Sequence, residues 1–176
     1  MKELYDFVHN ERFLKNEGLG NEVPYYIYDY NPKEELVMRE KIALMIKKSK
    51  VSIININLFE IILEIFEEEG MEALFEYEQQ DGTKEFIKEV IDPSVDDGTL
   101  IEFINEKIQG YDVIFITGVG SVFQFIGLHE VLSKLGDKRI ETPIIGFYPG
   151  VYTTETLKLF DLFESKNFYR AFKLNK

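Results

Sequence analysis

The chain has 176 residues, 45% of them hydrophobic and 14% aromatic, which is enough apolar side chain for a packed core and excludes a disordered chain. It contains no cysteine, so disulfides, thiolate nucleophiles and cysteine-ligated metals are excluded together. No apolar run approaches the length of a membrane span and the opening residues MKELYDFVHNERF have no signal-peptide core, so no membrane association and a cytoplasmic location are expected.

The net charge of −12 is concentrated in one place. Between Glu60 and Glu102 fifteen acidic residues face only Lys84 and Lys88, while the remainder of the chain is close to neutral. Such a segment repels phosphate backbones, which disfavours direct nucleic-acid binding through it. It reads either as a solvated helical face or as a docking surface for a basic partner.

In chain order, Leu4, Phe7, Val8 and Leu14 predict an N-terminal helix with one apolar side, ending before Gly18 and Gly20. Val23–Tyr30 is apolar or aromatic at every alternate position and predicts a strand covered on both faces. Asn31 and Pro32 open a helix that runs to the cations at Lys47 and Lys48. A second strand is expected over Val51–Asn55. The pair Asn57 and Glu60 then caps a helix carrying Leu58, Ile61, Ile62, Ile65 and Phe66, and Gly70 interrupts it before Leu74 and Phe75 resume the pattern. Gln79–Gly98 is polar and turn-rich, with a short helix near Phe86–Val90. Thr99 and Glu102 cap a further helix that Gly110 stops.

Asp112–Gly150 contains two apolar strands, Asp112–Thr117 and Pro143–Tyr148, on either side of a helix expected from Ser121 to Gly136. Pro149-Gly150 closes the second strand in a turn. Thr153 is expected to open a helix through Leu157, Phe160 and Phe163, and Phe168–Leu174 to form a last strand. The whole predicts an α/β fold: a single three-layer (αβα), Rossmann-like domain over residues 1–176, with a mostly parallel sheet of about five strands and an acidic helical segment at about 58–110.

The most site-like stretch is Thr117-Gly118-Val119-Gly120-Ser121, between a strand end and an expected helix start. Gly118, Gly120 and Ser121 could hold a phosphate through backbone N–H groups. The dinucleotide fingerprint is incomplete, because Phe123 stands where a third glycine belongs, and no phosphate-loop lysine follows. Ser121 lacks the flanking glycines of a nucleophile elbow, and the only histidines are His9 and His129, so no triad is supported. No paired histidines suggest a metal, and no cofactor is called for. Tyr148, Pro149, Gly150 and Tyr152 end the central strand where α/β proteins bind ligands, and with Tyr169 and Arg170 they form a candidate interaction surface. Arg170 is expected to pair with an acid such as Asp29, Asp112 or Glu22.

Four stretches carry a resemblance across most of the chain: Gly18-Leu19-Gly20-Asn21-Glu22-Val23-Pro24, Phe115-Ile116-Thr117-Gly118-Val119-Gly120, Phe147-Tyr148-Pro149-Gly150 with Tyr152, and Phe168-Tyr169-Arg170-Ala171-Phe172. Together they resemble the BrxB family of BREX (bacteriophage exclusion) antiphage defence systems. The resemblance implies a small cytoplasmic protein needed for phage restriction, acting beside an ATPase, a DNA methyltransferase and a phosphatase-like protein, PglZ. It brings no catalytic residues. The function expected is a non-catalytic accessory or adaptor component whose partners are other BREX proteins, PglZ foremost. The alternatives are a regulatory protein that binds a nucleotide or phosphate ligand at the Gly118-Gly120-Ser121 turn, and a hydrolase built on Ser121 or an aspartate.

Overall fold

The computed structural model describes residues 1–20, 22–67, 70–91, 93, 98–153, 156–166 and 171–175. Five strands run parallel in the order β2-β3-β4-β1-β7: β1 Tyr25–Tyr30, β2 Ile53–Asn57, β3 Val113–Thr117, β4 Ile144–Tyr152 and β7 Phe172–Lys173. Of two further strands, β5 (Thr156–Leu159) pairs antiparallel with β4, and β6 (Phe163–Lys166) pairs antiparallel with β5.

Successive side chains on a strand point to opposite faces, and here both faces are apolar. Tyr25, Ile27, Ile56, Ile114, Ile116 and Ile144 belong to one core cluster; Tyr26, Ile53, Val113, Phe115, Ile145 and Phe147 belong to the other. The second cluster is closed by α1 (Lys2–Val8), α2 (Glu11–Leu14) and α3 (Glu35–Lys48), through Leu4, Val8, Phe13, Met38, Ile42 and Met45. The first is closed by α4 (Leu58–Ile65), α7 (Thr99–Lys107) and α8 (Leu128–Asp137), with Leu74 of α5 (Met71–Asp81). Helix α3 carries the chain from β1 to the far edge strand β2; β3 and β4 then return across the sheet with their helices on the other face. Right-handed crossovers require this change of face when the direction of travel reverses. The result is a three-layer αβα, Rossmann-like fold.

The acidic stretch forms the long crossover between β2 and β3. Its helix α5 continues through Gln79–Asp81, which were expected to be irregular, and α6 (Thr83–Phe86) leads into a π-helical turn at Ile87–Ile91. Phe75 is exposed, although its spacing suggested a buried face. Gly98, at positive φ, holds the N-cap position of α7, so Thr99 begins that helix rather than capping it. At α4 the cap forms, with Asn57 Oδ1 accepting from Phe59 N–H at 3.2 Å and Asn57 Nδ2 donating to Glu60 Oε1 at 2.9 Å.

Two expectations fail at the carboxyl end of the sheet. Pro149-Gly150 is not a turn: β4 runs through it, leaving its parallel neighbours and entering the hairpin with β5. Gly150 has φ +152, and a Cβ there would lie 2.1 Å from the Lys158 carbonyl oxygen, so only glycine permits this close antiparallel contact. Nor do Leu157, Phe160 and Phe163 form a helix. They lie on β5, its turn and β6, because pairing with Gly150–Tyr152 outweighs a helix-like spacing. The turn places Phe160 and Asp161 at φ 53 and φ 60, with Leu162 N–H donating to Leu159 O at 2.9 Å. Thr153, the expected helix start, instead accepts from Thr156 N–H at 2.9 Å where β5 begins. Residues 154, 155 and 167–170 lie outside the described residues, so the first three residues of the expected last strand fall there, and β7 lies in its described part.

Candidate functional site

The carboxyl edge of the parallel sheet has an open half and a closed half. The open half lies over β2 and β3 on the α3 side, where a cavity of about 450 Å³ is lined by Arg39, Lys47, Asn55, Asn57, Glu60, Thr117, Gly118 and the aliphatic face of α3. Inward positions on these strands begin apolar, with Ile53, Val113 and Phe115, and turn polar toward the edge, with Asn55, Asn57 and Thr117. Thr117 Oγ1 donates to Asn55 Oδ1 at 3.0 Å across the β2–β3 pair. On the opposite wall, Arg39 Nε donates to Glu35 Oε1 at 2.7 Å, and the same carboxylate accepts from the Tyr30 hydroxyl through its other oxygen. Burial and the bond to Glu35 push the Tyr30 hydroxyl far above its ordinary range, so it remains a donor. The guanidinium is thereby held at the cavity by a chain of contacts starting at the end of β1.

The closed half lies over β4 and β1. Asp29, 7% exposed, accepts from Tyr152 N–H at 2.9 Å and from Lys173 Nζ at 2.7 Å. Lys173 also donates to Tyr152 O, and the Tyr152 hydroxyl donates to Ala171 O at 2.6 Å. The Asn175 side chain pairs with both backbone groups of Asp29, at 3.2 and 2.6 Å. These bonds fasten the hairpin and the C-terminal segment across the strand ends. Asp29 was one of three acids, with Asp112 and Glu22, expected to pair with Arg170; it carries Lys173 and the Tyr152 amide, while Arg170 and Tyr169 lie outside the described residues.

The glycine turn is divided between these halves. Gly118, at φ +75, lines the cavity, and a Cβ on it would come within 2.2 Å of Asn57 Oδ1. Gly120 faces the hairpin instead, its Cβ position lying 2.8 Å from Phe160 Cζ and 3.2 Å from Pro149 Cγ. Its lack of a side chain makes room for an aromatic ring. Ser121 is exposed at the end of a short 3-10 turn, and α8 starts seven residues later at Leu128 with Gly127 as its N-cap. The expected helix from Ser121 is therefore absent, and with it the helix N-terminus that would have faced an anion at this turn. The intervening residues instead pack Val122 and Ile126 into the core.

Neither histidine hydrogen-bonds Ser121 among the described residues. His9 accepts from Lys50 N–H through Nε2 at 3.0 Å and pairs with Tyr5 O through Nδ1, joining α1 to the loop after α3. His129 lies at the start of α8 against Gly127, not in mid-helix. No group of three or more His, Cys, Asp or Glu able to hold a metal occurs among the described residues.

Of the candidate surface residues, Tyr148 and Tyr152 are 4% and 1% exposed, and Pro149 and Gly150 are buried with them. They anchor the hairpin instead of presenting a surface. The exposed aromatics lie beside them: Phe163 on β6 stacks on Phe123 with centroids 5.4 Å apart, and Leu162 at the hairpin tip is 74% exposed. Phe163 had been expected on a helix with Leu157 and Phe160, a reading that did not bring it to the surface beside Phe123 and Leu162.

Residues 54–174 match the family model for BREX protein BrxB. The chain belongs to the BrxB family. The BREX protein BrxB of Bacillus cereus (strain H3081.97) is 34% identical over 183 aligned positions, covering 99% of this chain and 95% of that protein. The BREX protein BrxB of Escherichia coli O9:H4 (strain HS) is 31% identical over 179, covering 99% and 89%. No solved structure matches this BrxB chain. Among its described residues no helix is long and apolar enough to cross a membrane. BrxB membership implies a role in a BREX phage-defence system.

Proposed function

We propose that this protein is a non-catalytic adaptor of a BREX system, binding a PglZ-type phosphatase-like partner. The observation that carries the reading is the match to BrxB relatives along 99% of the chain, because it ties the whole fold, not one motif, to a multi-protein defence system. The surface supports it. Leu162 and Phe163 of the hairpin, with Phe123 stacked on Phe163 from the loop after β3, form an exposed apolar group, and exposed aromatics are the usual anchors of a protein interface. The acidic crossover supplies a second, charged face that would steer a basic partner.

The test is co-purification from cells expressing the tagged protein with each BREX neighbour in turn. Retention of the PglZ-type protein, lost on Leu162→Asp with Phe163→Asp, supports both the partner and the surface. Elution without any neighbour counts against the adaptor role. Charge reversal at Glu72, Glu76 and Glu78 separates the second face: unchanged binding and unchanged salt dependence would make it a solvated surface only.

A further inference from the structure

We propose that the cavity at the open half of the sheet edge, between α3 and the ends of β2 and β3, binds a small nucleotide-sized anion. Arg39 and Lys47 would take its negative group, and Asn55, Asn57, Thr117 and Glu60 its hydrogen-bonding body. This site is independent of the adaptor reading and of the Gly118-Gly120-Ser121 turn, of which it borrows only Gly118.

Four observations converge on it. First, the cavity holds about 450 Å³, within the range of small-ligand sites, and opens at the carboxyl edge of the parallel sheet, the edge that binds ligands in such folds, with the switch point between β4 and β1 sealed by the hairpin. Second, strands of a parallel sheet are expected to be apolar on covered faces, yet inward positions of β2 and β3 turn to amides and a hydroxyl only beside the cavity. Third, the two walls differ in chemistry. The helix wall carries two cations on an aliphatic base of Ile42, Ala43 and Ile46; the strand wall carries neutral hydrogen-bonding groups and the Glu60 carboxylate. A ligand anionic where it faces α3 and rich in N–H or O–H donors where it faces the strands satisfies both walls. A phosphorylated nucleoside has this distribution, and a bare anion does not.

Fourth, the polar groups are part committed and part free. Arg39 is oriented by Glu35 and Tyr30, which lowers the entropy lost when it grips an anion. Asn55 Oδ1 is taken by Thr117, while its Nδ2 has no partner among the described residues. Glu60 Oε1 is taken by Asn57, leaving the second oxygen to accept from a ligand. Lys47 makes no ion pair among the described residues, in a chain with 32 carboxylate side chains and only 20 lysines and arginines. An unpaired cation in so acidic a protein, at the wall of a polar cavity, is well placed for an external anion.

The experiment is calorimetric titration of the full chain with adenosine, guanosine, cytidine and uridine monophosphates at up to millimolar concentration, with inorganic phosphate as control. Amide chemical-shift mapping accompanies it. At least one nucleotide is expected to bind saturably, with shifts confined to residues 39–47, 55–60 and 117–118. Lys47→Glu and Asn55→Leu change exposed side chains and should melt like the parent, while each weakens binding roughly tenfold or more. The proposal is overturned by the absence of heat from every nucleotide, by affinity unchanged in both variants, or by shifts mapping to another surface. Equal affinity for inorganic phosphate would overturn the nucleotide assignment, because the strand wall would then read nothing.

Discussion

The two halves of the sheet edge are built from the same strands and differ in what lies over them. Above β4 and β1, a hairpin, a buried carboxylate and the C-terminal segment interlock, so the side chains of Asp29, Tyr152, Lys173 and Asn175 all serve another part of the chain. Above β2 and β3 nothing of the kind is present among the described residues, and amides, a hydroxyl and two cations line a cavity. Where the strand ends are sealed, polar residues hold the fold together. Where they are open, Asn57 still caps α4, while the side chains of Asn55 and Thr117 bond each other and leave hydrogen-bonding capacity at the cavity.

The largest effect should come from Gly150→Val in the closed half. The new side chain meets the Lys158 carbonyl, and urea unfolding should register a loss of about 3 kcal/mol or more. A loss below about 1 kcal/mol would mean that the hairpin is not pinned there. Asp29→Ala comes next, at about 2–4 kcal/mol, because it strands Lys173 and the Tyr152 amide without their common acceptor.

Tyr30, at the end of β1, links the closed half to the open one: its hydroxyl is buried against Glu35, which also holds Arg39. Its folded pKa is raised above the ordinary 10.0. The stabilising contribution is complete below about pH 10, and it is lost as the pH rises above that value, since the unfolded chain releases this proton first. Alkaline unfolding should therefore begin near pH 10, and Tyr30→Phe should flatten its slope without steepening the acid side. The smallest effect belongs to the open half. Asn55→Leu with Thr117→Val removes both partners of one hydrogen bond and should shift stability by no more than about 1 kcal/mol. A larger loss would show the polar pair to be structural and erase the contrast between the halves.

Much of this was legible before the fold was known. The strands β1 to β4 and α3 stand out because strands covered on both faces must be largely apolar, and because Asn31-Pro32, which opens the 3-10 turn leading into α3, and the terminal lysines mark helix ends chemically. The hairpin was not legible. Leu157, Phe160 and Phe163 recur at a spacing that suits a helix, and only pairing with β4, several residues earlier in the chain, selects the extended form. The glycine turn was read as an anion cradle for a similar reason. Gly120 is small because Phe160 lies on it, a contact 40 residues away in sequence that no local pattern announces. The cavity escaped notice because its residues are distributed over α3, β2, β3 and the start of α4, each unremarkable alone.

Local sequence by itself determined the layered α/β architecture and the position of the acidic crossover, since each depends on which residues are neighbours along the chain. Tertiary structure alone decided which half of the edge is sealed, which tyrosines are buried and which polar groups share a cavity. Those outcomes depend on pairings between distant segments, whose energies no single stretch of sequence contains.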